Sequence, residues 1–356
     1  MKKLIVISLI VFAALVMLPA VYAEARQEQQ PEQPNTPIVD NGFKHNAVAM
    51  FHYNKGKDEF WIFEPDEPKP DKAPVVVFNH GWSAMTPGNY GAWIDHIVKR
   101  RNIVIFPRYQ GGLLTLPKDF THNAIESVKN AISILQTGAG HVTPDLSKFA
   151  VVGHSAGGII SANMAALASE RGIPTPGAVM CVFPGVTWKK RASKNIPLEG
   201  LRGIHRDTLL LSVAGDRDWV VEDIDAKKIF MGSVTIPAQN KNYILLRSDN
   251  LGWPPLVADH FAASSPVSNY DSISNINGKI KTIRYNGFTK VFSGRRVVDA
   301  MDYYGLWKLF DGLTDAAFYG KNREYGLDNT DKQRFMGIWS DGTPVKELNS
   351  SNYNLK

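Results

Sequence analysis

The stretch Gly153-His154-Ser155-Ala156-Gly157 constrains this chain more than any other. It follows Phe149-Ala150-Val151-Val152, an apolar run that reads as a buried strand. It precedes Gly158-Ile159-Ile160-Ser161-Ala162-Asn163-Met164, which reads as the start of a helix. A G-x-S-x-G between a strand and a helix predicts a turn so sharp that only small residues fit at its ends, with the serine oxygen pushed out of the sheet. The flanking strand and helix separate this reading from a chance match of three fixed positions.

Around that turn, apolar runs alternate with helical periodicity. Strands are predicted over Ala47 to Tyr53, Glu59 to Phe63, Ala73 to Phe78, Asn102 to Pro107, Val179 to Phe183, Thr208 to Ala214 and Tyr243 to Arg247. Between them, Tyr90 to Lys99, Asp119 to Leu135 and a segment near Glu222 to Phe230 read as helices, and Glu64 to Lys72 as an exposed loop. Such alternation implies a mostly parallel sheet with helices on both faces, and loops for chemistry at the carboxyl ends of its strands.

A serine hydroxyl is a weak nucleophile and needs a base to take its proton and a carboxylate to orient that base. The run ending in Ala214 leads into Gly215-Asp216-Arg217-Asp218-Trp219, which offers two carboxylates just beyond a strand. Downstream of them stands one histidine, His260, on the loop after Tyr243 to Arg247; its neighbour Asp259 reads as structural. The strand Ala73 to Phe78 ends in Asn79-His80-Gly81-Trp82, where Gly81 allows close backbone approach. His80 and His154 each precede a turn and read as side chains that brace their loops by hydrogen bonds.

From His80-Gly81-Trp82, Gly153 to Gly157, Asp218 and His260, the chain resembles the α/β-hydrolase superfamily over roughly Ala73 to Ser265. It is nearest in look to secreted bacterial esterases of the dienelactone-hydrolase, chlorophyllase and cutinase-like kind. The resemblance implies a catalytic order of serine, acid, histidine. That assigns Ser155 as nucleophile, Asp218 as acid (with Asp216 as the alternative) and His260 as base. It also implies an oxyanion hole built from the N–H groups of Trp82 and Ala156. One departure stands out: cutinase-like enzymes usually carry a disulfide, and this chain has a single cysteine, Cys181, in a run that reads as a buried strand. Its thiol reads as inert packing.

The amino terminus, Met1-Lys2-Lys3 followed by an apolar run to Leu18 and Pro19-Ala20-Val21-Tyr22-Ala23, has the pattern of a secretory signal peptide over residues 1–23. Cleavage after Ala23 is expected, with Ala25 as the alternative. The apolar core is short for a membrane span, so a periplasmic or secreted protein without stable membrane insertion is expected. Residues 24–37, rich in Gln, Glu and Pro, predict a disordered leader. Residues 38–356 are expected to form a single domain, with a carboxyl-terminal extension from about residue 286. Within it Val297 to Phe310 reads as an amphipathic helix whose aromatics pack into the core. Ile338 to Val345 reads as a hairpin that caps a sheet edge.

The formal net charge of +6 is spread over separate clusters, Lys99-Arg100-Arg101, Lys189-Lys190-Arg191 and Arg295-Arg296, each read as solvated surface. No nucleic-acid motif is present. No cofactor or metal is expected, because Asp216, Asp218, Asp223 and Asp225 lack the spacing and glycine turn of a calcium loop. Trp82, Tyr109, Trp188, Trp219 and Trp253 fall on predicted loops; gathered at one face they would wall a cleft for apolar acyl or aryl esters, and otherwise they pack the loops. The expected activity is ester hydrolysis on a small-molecule substrate through an acyl-enzyme. An amidase or peptidase using the same side chains, and a non-catalytic binding protein on the same fold, are the alternatives. The sequence leaves the oligomeric state open.

Overall fold

The computed structural model describes residues 28–39, 42–112, 114–185, 195–267, 270, 274–276, 279–281 and 297–351. The signal segment 1–23, Trp188, the clusters Lys189-Lys190-Arg191 and Arg295-Arg296, and residues 282–296 lie outside the described residues.

Nine strands form one sheet in the order β1-β2-β4-β3-β5-β6-β7-β8-β11. They are β1 Ala47–Tyr53, β2 Phe60–Asp66, β3 Lys72–Asn79, β4 Ile103–Pro107, β5 Thr143–His154, β6 Ala178–Val182, β7 Leu209–Gly215, β8 Lys241–Leu246 and β11 Asn349–Ser351. Strands β4, β3, β5, β6, β7 and β8 run parallel, while β1, β2 and β11 make antiparallel pairs at the two sides. A separate hairpin pairs β9 Ser274–Ile276 with β10 Lys279–Lys281.

The central strands are apolar at nearly every position because both faces are covered. Val76 and Phe78 of β3 join one core with α1 (Gly91–Lys99) and α5 (Lys308–Tyr319), while Val75 and Val77 join the other with α2 (Phe120–Thr137) and α3 (Ala156–Arg171). A fifth helix, α4 (Ile224–Gly232), packs against β7 and β8. The chain leaves β3 toward α1 on one face and leaves β5 toward α3 on the other. The adjacent carboxyl ends of β3 and β5 are therefore a topological switch point, where a crevice opens in such sheets.

Four expectations are corrected here. The leader is not loose along its described length. Pro31 is buried, Gln29 exchanges backbone and side-chain bonds with Ser340, and Tyr303 donates to the Pro31 carbonyl. A Gln- and Pro-rich segment buries little of its own, yet it gains order by docking on apolar surface made elsewhere. The carboxyl-terminal helix starts later than expected: Val297 is exposed, and a π-helical stretch, Met301–Trp307, leads into α5. Its aromatics do pack inward, with Phe310 edge-on to Trp93 of α1. The 338–344 turn is present as a single bridge, but the sheet edge is capped by β11 instead. Arg100 is not solvated: its side chain is buried against Asp311 and Asp315 of α5, with His96 on Asp311 at 2.8 Å. A charge cluster read along the sequence hides which member faces inward.

Candidate active site

Steric exclusion dictates the turn after β5. Ser155 stands at φ 57°, ψ −121°, in a region that L-residues avoid. A Cβ on Gly153 would lie 2.2 Å from the Gly157 carbonyl oxygen, and one on Gly157 would lie 2.1 Å from the Asn79 carbonyl oxygen. Both contacts are with backbone, so neither can give way. The strained turn is locked from both sides: Ser155 N–H donates to Val182 O at 2.9 Å, and its carbonyl accepts from Gly158 at 2.9 Å and Gly185 at 3.2 Å.

Three elements far apart in the chain meet at this turn. Asp218, just beyond β7, accepts the Val220 and Val221 N–H groups on Oδ1 at 2.9 and 3.0 Å. Its Oδ2 lies 2.8 Å from His260 Nδ1, and His260 Nε2 lies 2.9 Å from Ser155 Oγ. A carboxylate can only accept, so Nδ1 carries the proton and Nε2 is the acceptor for the serine hydroxyl. Ser155, Asp218 and His260 are 7%, 5% and 4% exposed, enough shielding to strengthen each bond without sealing the site. The alternative acid, Asp216, is committed elsewhere: its carboxylate takes the Ser248 N–H and hydroxyl. Asp259 caps its own turn by accepting from Phe261 N–H at 2.8 Å, the structural part read for it.

The loop bearing His260 is fastened along its length. Gly215 packs so closely that a Cβ there would meet Ala258 O at 2.2 Å, and Arg217 N–H donates to the same carbonyl. On the far side of the histidine, Ser265 takes the Ala92 and Trp93 N–H groups with its carbonyl and hydroxyl. These are donors that the first turn of α1 would otherwise leave unsatisfied.

Of the oxyanion candidates, Ala156 follows Ser155 directly, and Trp82 follows Gly81, where a Cβ would lie 3.4 Å from Ser155 Cβ. Among the described residues, neither N–H is taken by a side chain or a loop carbonyl. His80 is fully buried, stacked on Tyr109 with ring centroids 4.0 Å apart, and its Nδ1–H donates to Gly81 O at 2.6 Å. Burial holds its imidazole neutral by pushing the pKa down to about 3. His154 braces as well, through Tyr90 and the His260 carbonyl. The buried Cys181 thiol is pushed up to about 12 by desolvation and is inert, as read.

The aromatic cleft expected from five residues is not assembled as a unit. Tyr109 is 0% exposed and works inside the loop. Trp82 is half-buried with its ring against Phe120. Trp253 is exposed, and its backbone pairs with Glu28 because residues 249–256 form a small hairpin that faces the amino-terminal segment. Trp219 is 77% exposed beside Asp218, and Trp188 lies outside the described residues. Sequence proximity to a catalytic loop does not fix the direction of a ring. Tyr90 went unread because no motif marks a tyrosine at the end of a short 3-10 turn (Pro87–Tyr90).

Among the described residues, no group of three metal-type donors is formed, and no helix is long and apolar enough to cross a membrane. Asp223 and Asp225 pair with Lys227 and Lys228.

The strand order, the switch point and the serine turn define an α/β-hydrolase fold. A family model described as alpha/beta hydrolase fold matches residues 76–214, from within β3 to within β7. That span contains the loop of Gly81 and Trp82 and the serine turn, and ends before Asp218 and His260. No curated protein matches the chain.

Proposed function

We propose that this protein is a serine hydrolase that cleaves carboxylic esters through an acyl-enzyme. The observation that carries the reading is the unbroken series from Asp218 Oδ2 to His260 to Ser155 Oγ, at 2.8 and 2.9 Å, at the switch point of the sheet. In the first step Ser155 Oγ attacks the acyl carbonyl while His260 Nε2 takes its proton. Asp218 steadies the imidazolium, and the N–H groups of Trp82 and Ala156 receive the oxyanion. Collapse expels the alkoxide, which leaves with the proton from Nε2. Water then gives its proton to Nε2, attacks the acyl-enzyme and frees the acid, restoring Ser155. The basic, then apolar, then small-residue amino terminus supports export to the periplasm or beyond.

The test is labelling by a fluorophosphonate together with turnover of p-nitrophenyl esters of increasing chain length, against Ser155→Ala. Wild type is expected to be labelled at Ser155 and to turn over esters much faster than the matching anilides. Ser155→Ala is expected to fold and lose both activities. Anilide turnover equal to ester turnover would move the reading to an amidase, and folded wild type that resists the probe would point to a binding role.

A further inference from the structure

The Gly81–Trp82 peptide is aimed before any substrate arrives. In a trans peptide the C=O and N–H point opposite ways, so holding the carbonyl directs the N–H. The Gly81 carbonyl is held twice, by His80 Nδ1–H at 2.6 Å and by Ala84 N–H at 3.0 Å. The preceding peptide is gripped at both ends. Its N–H, on Gly81, donates to Tyr90 Oη at 2.9 Å, and its carbonyl, on His80, accepts from the Tyr109 hydroxyl. From Tyr90 the chain continues: the hydroxyl lies 2.9 Å from His154 Nδ1, and His154 Nε2 lies 2.7 Å from the backbone carbonyl of His260. A carbonyl can only accept, so His154 carries its proton on Nε2 and takes the Tyr90 proton on Nδ1. Every donor in the run from Gly81 to His260 is thereby assigned one direction. The run passes against the serine: a Cβ on Gly81 would lie 3.1 Å from both Tyr90 Oη and His154 Nδ1, and 3.4 Å from Ser155 Cβ.

We propose that Tyr90 and His154 are positioning residues that couple the oxyanion loop to the loop of the general base, holding the Trp82 N–H and the His260 ring in mutual register around Ser155. This rests on the esterase reading above. His154 meets the base through the His260 backbone carbonyl and ring against ring at 4.9 Å, while Tyr90 acts through His154. Loss of the link leaves substrate binding in place and misplaces the groups that act in the transition state, so its cost falls on kcat.

The experiment compares the full chain with Tyr90→Phe, His154→Gln and the double variant. Phenylalanine keeps the ring packed on Phe78 and removes only the hydroxyl. Tyr90→Phe is expected to melt close to wild type and to keep KM within about twofold. Its kcat and its rate of fluorophosphonate labelling are expected to fall by about tenfold to a hundredfold. Affinity for a boronic acid, which uses the oxyanion N–H groups, should fall in step with kcat/KM. The double variant should be no worse than the worse single, since both cut one chain. Tyr90→Phe that is labelled and turns over like wild type, or losses that multiply in the double variant, would overturn the proposal and leave the esterase reading standing. Wild type that is never labelled at Ser155 would overturn both. If Tyr90→Phe melts early, His154→Gln decides, through the same split between kcat and KM.

Discussion

At the residue scale, the two glycines around Ser155 and the two aspartates after β7 show how little freedom the site has. Gly157→Ala would press a methyl into the Asn79 carbonyl at 2.1 Å, a contact that only backbone movement relieves. We expect a loss of about 3 kcal/mol or more, read from the urea midpoint, together with loss of the proposed esterase activity. The aspartates separate chemistry from architecture. Asp218→Asn removes the only carboxylate on His260 Nδ1 among the described residues, keeps an oxygen for the Val220 and Val221 N–H groups, and should cut kcat about a thousandfold or more with a modest change in melting. Asp216→Ala leaves Ser248 N–H without its acceptor and should cost about 1–3 kcal/mol of stability while retaining most turnover. Equal effects of the two substitutions on kcat would contradict the assignment of the acid. Both aspartates were visible in the sequence, one as the choice and one as the alternative. What separated them was the direction of each carboxylate, fixed by Ser248 for one and His260 for the other.

At the element scale, α5 fills a place that the sequence left vague. It covers the sheet beside α1, and the two helices are joined by a buried charge cluster in which Arg100 reaches both Asp311 and Asp315. The attraction of the two carboxylates outweighs the burial that opposes its charge, so Arg100 stays ionised. Burial, in turn, raises the carboxyl of Asp315 despite that same arginine. Such a group tolerates replacement as a set far better than loss of one member. Arg100→Ala should therefore cost about 3–5 kcal/mol, read by chemical denaturation, because two buried carboxylates lose their shared cation. Helices α1 and α2 were legible from apolar spacing. The long-range partnership of α1 with α5 was not, since nothing in Lys99-Arg100-Arg101 marks the middle charge as the buried one.

At the scale of the whole molecule, the two ends of the described chain lie against the sheet and loops that carry the site. The amino-terminal segment from Glu28 pairs with Trp253 and Ser340, while Trp339 Nε1 and Lys346 N–H both donate to Asp249 on the loop that leads to His260. Lys308 anchors this region from within, donating to the carbonyls of Gln333 and Phe335 while 1% exposed. Desolvation lowers its pKa to about 7, with Glu347 pulling the other way. An unfolded lysine titrates near 10.4, so between about pH 7 and pH 10 the unfolded state binds more protons and stability rises with pH. Relative to Lys308→Met, wild type should gain up to a few kcal/mol across that window in denaturation series at fixed pH. A gap between the two proteins that stays flat from pH 7 to pH 10 would show that the buried amine keeps its proton and its ordinary titration in the folded state. By itself the sequence determined the layered sheet, the serine turn and the small set of side chains able to act there. Those depend on apolar periodicity and on the steric demand for glycine, which are local properties. Tertiary structure alone decided which aspartate meets His260, that Tyr109 and Trp253 do not form a shared cleft wall, that Tyr90 links two loops, and that the Gln-rich segment lies down on Trp253 and Ser340. Each of these depends on the direction of a side chain across tens or hundreds of residues, and direction in space is set by packing.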